Sequence, residues 1–197
     1  MKLNTAIILA GGKSRRMGFD KQLIKIQGEY IVDHIGKKLK NHFEEIIVVT
    51  NTPELYDKNK YKLVKDIYLG YGPLAGIHIG LLNSNSEGAY VTACDMPYIC
   101  DKYIKYLKDI FEDNKPLGIV SEKNGYIEPM AGVYSKELLL KLEEKLEKKD
   151  LKIKNLIEEE NFLIIPEEKI LEFEKEIKIF SNINTLEELN SQKIEAK

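Results

Sequence analysis

The sequence predicts an α/β fold, with a mainly parallel β-sheet and helices on both faces. Two observations predict it. Short apolar runs alternate along the chain with longer stretches whose apolar residues recur at helical spacing. Polar or glycine-containing motifs follow the first four apolar runs, as expected where the strands of an open sheet end at a ligand site. A length of 197 residues is enough for a sizeable core, so we expect residues 1–197 to form a single domain.

The apolar runs are predicted to be strands, and the periodic stretches are predicted to be helices. In the first helix Val32, Ile35 and Leu39 recur with lysines between them, which gives one apolar face and one solvated face. Residues 136–176 are rich in Lys and Glu, and we interpret them as solvated helix surface with i,i+4 ion pairs. The predicted strands are residues 6–10, 46–50, 61–64, 89–93, 117–121, 130–134, 162–165 and 177–179. The predicted helices are residues 31–43, 74–82, 103–112, 137–149 and 186–193.

Composition excludes several classes of protein. The chain has 30 Lys and Arg against 32 Asp and Glu, a net charge of −2, which argues against a general nucleic-acid binder. Cys94 and Cys100 fit neither a disulfide framework nor a zinc pattern, so we expect reduced thiols. The first residues lead directly into the first strand without a signal peptide, and no apolar run approaches a membrane span. We therefore expect a cytoplasmic protein that binds neither membrane nor nucleic acid.

The most informative stretch is residues 6–21, where an apolar run ends at Gly11 and Gly12. Glycines let the backbone approach an anion closely, and neighbouring cations neutralise that anion. The pattern is neither a Walker loop nor a dinucleotide fingerprint, and a basic surface turn is the alternative interpretation. The next nine residues contain four cations and a third glycine: Lys13, Arg15, Arg16, Gly18 and Lys21.

Polar motifs also follow the next three predicted strands. They are Asn51-Thr-Pro53, Lys65-Asp66 and Cys94-Asp-Met-Pro97. The carboxyl ends of parallel strands lie along one edge of a sheet, so we expect the four motifs to meet there. Asp95 opposite a cationic phosphate loop is suited to Mg²⁺, which needs only one or two protein carboxylates when phosphates supply other ligands. A capping or turn aspartate before proline is the alternative.

Two further features are the segment after the third strand and the three histidines. Gly72 and Pro73 fit the start of a helix, and Ala75 and Gly76 permit close packing or ligand approach. Histidines at positions 34, 42 and 78 each lie in a helical pattern. We interpret all three as core or surface residues and not as a catalytic base.

These motifs resemble those of the molybdenum cofactor guanylyltransferases, and the similarity spans almost the whole chain. The resemblance implies a Rossmann-like nucleotidyltransferase fold and the transfer of GMP from Mg-GTP to the phosphate of molybdopterin, with release of pyrophosphate. The matching blocks are Leu9-Ala-Gly-Gly, Ser14-x-Arg16-Met-Gly18, Asp20-Lys21, Gly72-Pro-Leu-Ala-Gly76, Cys94-Asp-Met-Pro97 and Asn182-Ile-Asn-Thr-Leu-Glu-Glu-Leu189.

The resemblance also implies roles for individual residues. Arg16 and Lys21 would hold the triphosphate, and Asp95 would contact it through Mg²⁺, so these three are the candidate catalytic residues. Asp66 offers the pair of acceptors that guanine N1–H and N2–H₂ require, although a ribose contact or a loop cap stays open. Asn51 lies a residue or two from the position where some members have asparagine. The backbone expected to approach the base or ribose is that of Leu9, Ala10, Gly11 and Gly12.

Other functions remain as alternatives. The nearest is a cytidylyltransferase of the same fold that acts on molybdopterin or on a sugar or polyol phosphate. A nucleotide-binding regulator without turnover would not need the metal carboxylate at Asp95, and a scaffold would leave the four strand-end motifs unexplained. The implied partners are GTP, molybdopterin or the molybdenum cofactor, cofactor-insertion proteins and molybdoenzyme chaperones.

Lys21→Ala should weaken GTP binding about tenfold or more, because a charged contact to the phosphates is lost. Binding of guanosine, which lacks phosphates, should change little. Isothermal titration calorimetry measures both, with Arg16→Ala as the companion variant and Arg15→Ala as the control. Equal GTP binding by Lys21→Ala and the parent would place Lys21 on the solvated surface.

Overall fold

The computed structural model describes residues 2–11, 24–26 and 28–183. Its strands are β1 (Thr5–Leu9), β2 (Lys25–Ile26), β3 (Glu29–Tyr30), β4 (Glu45–Val49), β5 (Lys62–Val64), β6 (Gly88–Ala93), β7 (Gly118–Lys123), β8 (Tyr126–Ser135) and β9 (Leu163–Ile165). Its helices are α1 (Ile31–Leu39), α2 (Pro73–Asn83), α3 (Asp101–Asn114), α4 (Leu139–Glu147), α5 (Ile153–Glu159) and α6 (Glu167–Leu171). Short 3₁₀ turns cover Pro53–Leu55 and Lys136–Leu138.

Seven strands form one sheet in the order β5-β4-β1-β6-β8-β7-β9, and β2 pairs with β3 separately. β1 is parallel to both β4 and β6, β4 is parallel to β5, and β7 is parallel to β9. β8 is antiparallel to both of its neighbours. The mainly parallel sheet predicted from the sequence is therefore confirmed, with β8 as its reversed strand.

Helices cover both faces of the sheet, as predicted. Residues that pair across parallel strands share a face, so Ile7 lies on the same face as Val91, and Gly88 and Tyr90 lie on the other. On the first face, α2 packs so closely that a Cβ on Gly80 would come within 2.7 Å of Ile7 Cδ1. On the second face, the Phe111 ring of α3 covers Gly88, and Phe43 stacks on Tyr90 with ring centroids 5.7 Å apart.

Local sequence explains the start and burial of α2. Gly72 precedes the helix with φ of 74°, a conformation that favours glycine, and Pro73 occupies the first helical position. Its residues from Leu74 to Leu81 are buried, since the helix lies between the sheet and α4. The predicted helix start at Gly72-Pro73 is confirmed.

The Lys- and Glu-rich segment is partly as predicted. Lys148 pairs with Glu144 at 2.6 Å and Lys154 with Glu158 at 3.4 Å, both at i,i+4 spacing. Lys145 is different, because its side chain is buried and its Nζ lies 2.8 Å from Asp150 Oδ2 and 2.9 Å from Glu159 Oε1. This cluster joins α4 to α5, so it is an internal link and not solvated surface.

Several predicted elements need correction. Residues 177–179 form no strand, because Ile177 and Ile179 are buried in an irregular segment whose Ile177 carbonyl accepts a hydrogen bond from Lys123 Nζ at 3.1 Å. The first helix ends at Leu39 and not at residue 43, since Phe43 leaves it to pack on the sheet. The helix predicted at 137–149 begins as a 3₁₀ turn capped by Ser135 Oγ, which accepts a hydrogen bond from the Glu137 amide.

Some elements of the structure were not predicted, and one predicted helix lies beyond the residues that the structure describes. Four short elements have two to seven residues each and are too short for a clear period in the sequence: β2, β3, α5 and α6. The predicted helix at 186–193 lies outside the described residues. None of the helices in the described part of the chain is long and apolar enough to cross a membrane.

Gly80→Ala should destabilise the protein by about 1–3 kcal/mol, because the new methyl group would overlap Ile7 in a closely packed interface. Adding Ile7→Val to that variant removes the Cδ1 atom that lies nearest and should restore part of the loss. Urea unfolding of the parent, both single variants and the double variant measures these free energies. A Gly80→Ala variant as stable as the parent would contradict this close packing.

Candidate active site

Backbone hydrogen bonds extend the sheet just beyond the carboxyl ends of four neighbouring strands. The amide of Ala10 donates to Val49 O at 2.9 Å, that of Thr50 to Val64 O at 2.9 Å, and that of Cys94 to Leu9 O at 3.0 Å. The segments that follow β5, β4, β1 and β6 therefore begin side by side at one edge. The expectation that these strand-end motifs share an edge is confirmed for the residues described.

The centre of this edge is the end of β1. Leu9 and Ala10 are buried, and Gly11 is the first exposed residue after the strand. A Cβ on Gly11 would lie 3.8 Å from Nδ2 of Asn51, so these two residues are direct neighbours. The exposed backbone of Gly11 and the amide of Asn51 are thus the polar groups that the centre of the edge offers to a ligand.

Asp66 lies at one end of this edge, after β5. Its Oδ1 accepts a hydrogen bond from the Tyr68 amide at 2.9 Å, which fixes the carboxylate in a tight turn. Partial burial raises the pKa of the Asp66 carboxyl above its ordinary value, although the Tyr68 amide and the charge of His78 oppose that shift. This turn also fits the alternative interpretation of Asp66 as a loop cap, because its carboxylate accepts a hydrogen bond from its own loop.

Asp95 lies on the other side of β1, after β6. It is half-buried, and its backbone carbonyl accepts a hydrogen bond from the Ile183 amide at 2.8 Å. The late segment containing Asn182, which the sequence analysis singled out, therefore returns to the same edge as Asp95. Asn182 itself is exposed there.

Glu128 is a candidate site residue that was not predicted from the sequence. It lies in the first half of the reversed strand β8, and its Oε1 accepts a hydrogen bond from the Met130 amide at 3.2 Å. Burial raises the pKa of Glu128, the Met130 amide and Lys123 lower it, and the Asp95 carboxylate raises it further. Two carboxylates are thus close enough to repel each other. No sequence motif signals Glu128, because its position depends on the direction of β8.

The start of α2 packs against one face of the sheet at this edge. A Cβ on Gly76 would lie 2.9 Å from Leu9 Cδ2, so the helix contacts the last residue of β1 directly. The interpretation of Gly76 as a position of close packing is therefore confirmed. This contact keeps Leu9 in place beneath the exposed Gly11.

Three predicted site residues, Gly12, Arg16 and Lys21, lie outside the described residues, as does residue 184 onward of the late segment. In the described part of the chain, no group of three or more His, Cys, Asp and Glu is arranged to hold a metal ion. That does not conflict with Mg²⁺ at Asp95, since such a metal takes most of its ligands from phosphates and water. The oxygen donors of Asp95 and Glu128 are chemically suited to it.

The histidines lie where a structural role predicts. His78 is 2% exposed, and His42 Nε2 lies 2.7 Å from Asp101 Oδ1. A groove at the opposite, amino-terminal edge is lined partly by Thr5, Glu45 and Asn85. There Glu45 accepts hydrogen bonds from Thr5 Oγ1 at 2.8 Å and from Asn85 Nδ2 at 2.8 Å. The polar groups in that groove serve the packing of the sheet.

An open, mainly parallel sheet with a glycine turn, an amide and carboxylates at its carboxyl edge has the arrangement of an α/β nucleotide-binding enzyme. Comparison with known proteins gives its family. The model of the MobA-like NTP transferase domain matches residues 6–162, so the chain belongs to that family and is a nucleotidyltransferase.

Individual relatives match this chain over nearly its full length. The chain is 42% identical over 190 residues to a protein of Peptoclostridium acidaminophilum named "Probable molybdenum cofactor guanylyltransferase", covering 94% of this chain and 86% of the relative. It is 38% identical over 188 residues to the molybdenum cofactor guanylyltransferase of Syntrophotalea carbinolica, covering 95% and 90%. The crystal structure of molybdopterin-guanine dinucleotide biosynthesis protein A from Archaeoglobus fulgidus has the same fold, with a TM-score of 0.84, 24% identity and 98% coverage of each chain.

Asp66→Asn should make the protein more stable at pH 7.5. Because the folded-state pKa of Asp66 is raised, stability is lost as the pH rises from the ordinary carboxyl value through the raised value, and asparagine avoids that loss. The amide oxygen of the substituted side chain would still accept the Tyr68 hydrogen bond. Urea unfolding at pH 7.5 and pH 3.5 should show the advantage only at the higher pH.

A matched control is available at Asp57, which is exposed and whose Oδ1 accepts a hydrogen bond from the Asn59 amide at 2.8 Å. Asp57→Asn changes the same chemical group in the same kind of turn without the burial, so its effect on stability should be similar at both pH values. A gain of equal size at both pH values for Asp66→Asn would contradict the effect of burial.

Proposed function

We propose that this protein transfers GMP from Mg-GTP to the phosphate of molybdopterin, releasing pyrophosphate and forming the guanine dinucleotide form of the molybdenum cofactor. The observation that carries the proposal is the placement of Asp66 and Asp95 on opposite sides of the glycine turn at Gly11. The relatives named above are guanylyltransferases of this cofactor, which supports the same substrates for this chain.

The separation of the two carboxylates suits a nucleoside triphosphate. The ends of β5 and β6 are three strand spacings apart, about 14 Å. A nucleotide laid along the edge would have its base near Asp66, its ribose over Gly11 and Asn51, and its phosphates near Asp95. Gly11 is exposed and has no side chain of its own, which leaves room for the ribose.

Asp66 has the chemistry to select guanine. An ionised carboxylate has about four lone-pair sites, and the Tyr68 amide uses only one of them. Guanine presents N1–H and N2–H₂ as adjacent donors, whereas cytosine and adenine lack that pair. The contact requires the ionised carboxylate, which partial burial disfavours.

Mg²⁺ would be held by Asp95, with Glu128 beside it, and when bound it would neutralise charge on the phosphates. Arg16 and Lys21, which belong to the basic glycine loop of the sequence, would hold the triphosphate. The acceptor is itself a phosphate, so no protein nucleophile is needed, and the residues of the edge act by orienting two anions. Leu9, Ala10, Gly11 and Gly12 would supply the backbone of this surface.

We also propose a domain organisation, a cellular location and partner proteins for this chain. The buried apolar residues form one cluster from Leu3 to Ile183, which supports a single nucleotidyltransferase domain over residues 1–197. The reduced thiols of Cys94 and Cys100 agree with a cytoplasmic location. Cofactor-insertion proteins and molybdoenzyme chaperones would receive the product.

A product assay tests the reaction. The purified protein is incubated with Mg²⁺, molybdopterin and each nucleoside triphosphate separately, and the products are identified by mass spectrometry. We expect a guanine dinucleotide product and pyrophosphate with GTP, at a rate at least about tenfold above the rates with CTP or ATP, since the buried polar contact to guanine is lost with the other bases. Turnover with CTP at or above the GTP rate would favour the cytidylyltransferase instead.

Asp95→Asn should lower the transfer rate about a hundredfold or more, because the metal that offsets phosphate charge is lost with the carboxylate. Metal-free nucleotide binding should stay the same or improve, since a repulsive charge has been removed. The measurement is turnover across a Mg²⁺ titration together with a thermal melt. Asp109→Asn, at an exposed position of α3, is the control and should behave like the parent.

A variant at Asp95 that melts like the parent and keeps near-parental turnover at low Mg²⁺ would show that Asp95 is a turn residue. Glu128→Gln gives the complementary comparison, because the amide can still accept the Met130 hydrogen bond while the charge is removed.

A further inference from the structure

His78 is a buried polar residue that the proposed reaction does not use directly. It lies on α2 and is 2% exposed, and its Nε2 lies 3.3 Å from Glu143 Oε1 on α4. Its Nδ1 is buried without a hydrogen-bond partner. An unpartnered buried nitrogen costs stability, so its presence calls for an explanation other than packing.

The His78 ring also contacts the loop that carries Asp66. The Tyr68 ring meets it edge-on, with centroids 6.0 Å apart, and the Tyr68 amide holds Asp66 Oδ1 at 2.9 Å. His78 therefore contacts Tyr68, the residue whose amide fixes the Asp66 carboxylate. Tyr71 also packs on Tyr68, with ring centroids 5.7 Å apart, so the loop is held through its aromatic side chains.

A charge interaction also connects His78 with Asp66. The positive charge of His78 lowers the pKa of Asp66 against the larger effect of burial, which raises it. Such charge interactions are strong where little water separates the groups. The titratable groups that face His78 are Glu143 from α4 and Asp66 and Tyr68 from the loop.

We propose that His78 is a positioning residue for guanine recognition: held by Glu143, it packs against Tyr68, whose amide keeps the Asp66 carboxylate in place for the base. This role rests on the proposed contact between Asp66 and guanine. It makes Glu143, His78 and Asp66 one chain of interactions that runs from the surface of α4 to the nucleotide. His78 touches neither the phosphates nor the acceptor in this role, so its effect is on nucleotide affinity.

A double-mutant cycle tests the proposal, with GTP binding measured by calorimetry at pH 7 for the parent, His78→Gln, Asp66→Asn and the double variant. Glutamine keeps a hydrogen-bonding group for Glu143 but has no ring to pack against Tyr68. His78→Gln should weaken GTP binding about threefold to tenfold in the parent background. In the Asp66→Asn background it should have no measurable effect, because the carboxylate that it supports is absent.

The control ligand is inorganic triphosphate, which has no base and whose binding His78→Gln should leave unchanged. Thermal melts establish that each variant is folded. Should His78→Gln fail to fold, Glu143→Gln takes its place in the same cycle, since Glu143 is partly exposed and its loss leaves the core intact. The expected direction is the same.

The results of this cycle distinguish a failure of the role of His78 from a failure of the proposed function. An unchanged affinity for His78→Gln, or an equal loss in both Asp66 backgrounds, would overturn the role of His78 and leave the proposed function standing. A parental GTP affinity for Asp66→Asn would instead contradict the guanine contact in the proposed function. A loss confined to the background with Asp66 supports both.

Discussion

The close contact between α2 and β1 is the packing interaction on which the candidate site depends. Gly76 and Gly80 lie against Leu9 and Ile7, at positions where a single added methyl group would meet those side chains below 3 Å. Because α2 follows the loop that carries Asp66, its distance from the sheet determines where that loop ends. The same contact supports Leu9, which precedes the exposed glycine turn. One helix–strand interface thus supports the parts of the edge where we expect the base and the ribose of the nucleotide.

The direction of β8 has a comparable effect on the other half of the site. A further parallel strand would bring its carboxyl end to this edge, whereas reversed β8 brings its first half, including Glu128. Glu128 therefore lies near Asp95 although the two residues are far apart in sequence. The late segment adds a third contribution, since Ile183 donates to the Asp95 carbonyl. This half of the candidate site is assembled from strands of both directions and from an irregular segment.

Much of this arrangement could be predicted from the sequence. The apolar runs of β1, β4 and β6 are bounded by Gly, Asn and Asp motifs, so both the strands and their common edge followed from local pattern. Glu128 could not be predicted, because nothing local to residues 126–135 states that the strand is reversed. Residues 177–179 were wrongly predicted as a strand because alternation of buried and exposed residues also occurs in irregular segments, as at Ile177, Lys178 and Ile179. The link from His78 to Asp66 depends on tertiary packing of a loop on a helix, which sequence spacing does not reveal.

The carboxylates at this edge illustrate why the site costs stability. Asp66 and Glu128 are both partly buried and both have raised pKa values, so the folded protein ionises them at a cost near neutral pH. A protein selected for stability alone would place neutral side chains there, as Asn or Gln would keep the hydrogen bonds to the Tyr68 and Met130 amides. Retaining charge at these positions makes sense if the charge has a ligand to meet: paired donors of a base at Asp66, and a cation beside Asp95 and Glu128. The unfavourable ionisation is then offset when substrate binds, and the free energy lost in the unliganded protein becomes selectivity for the ligand that restores it.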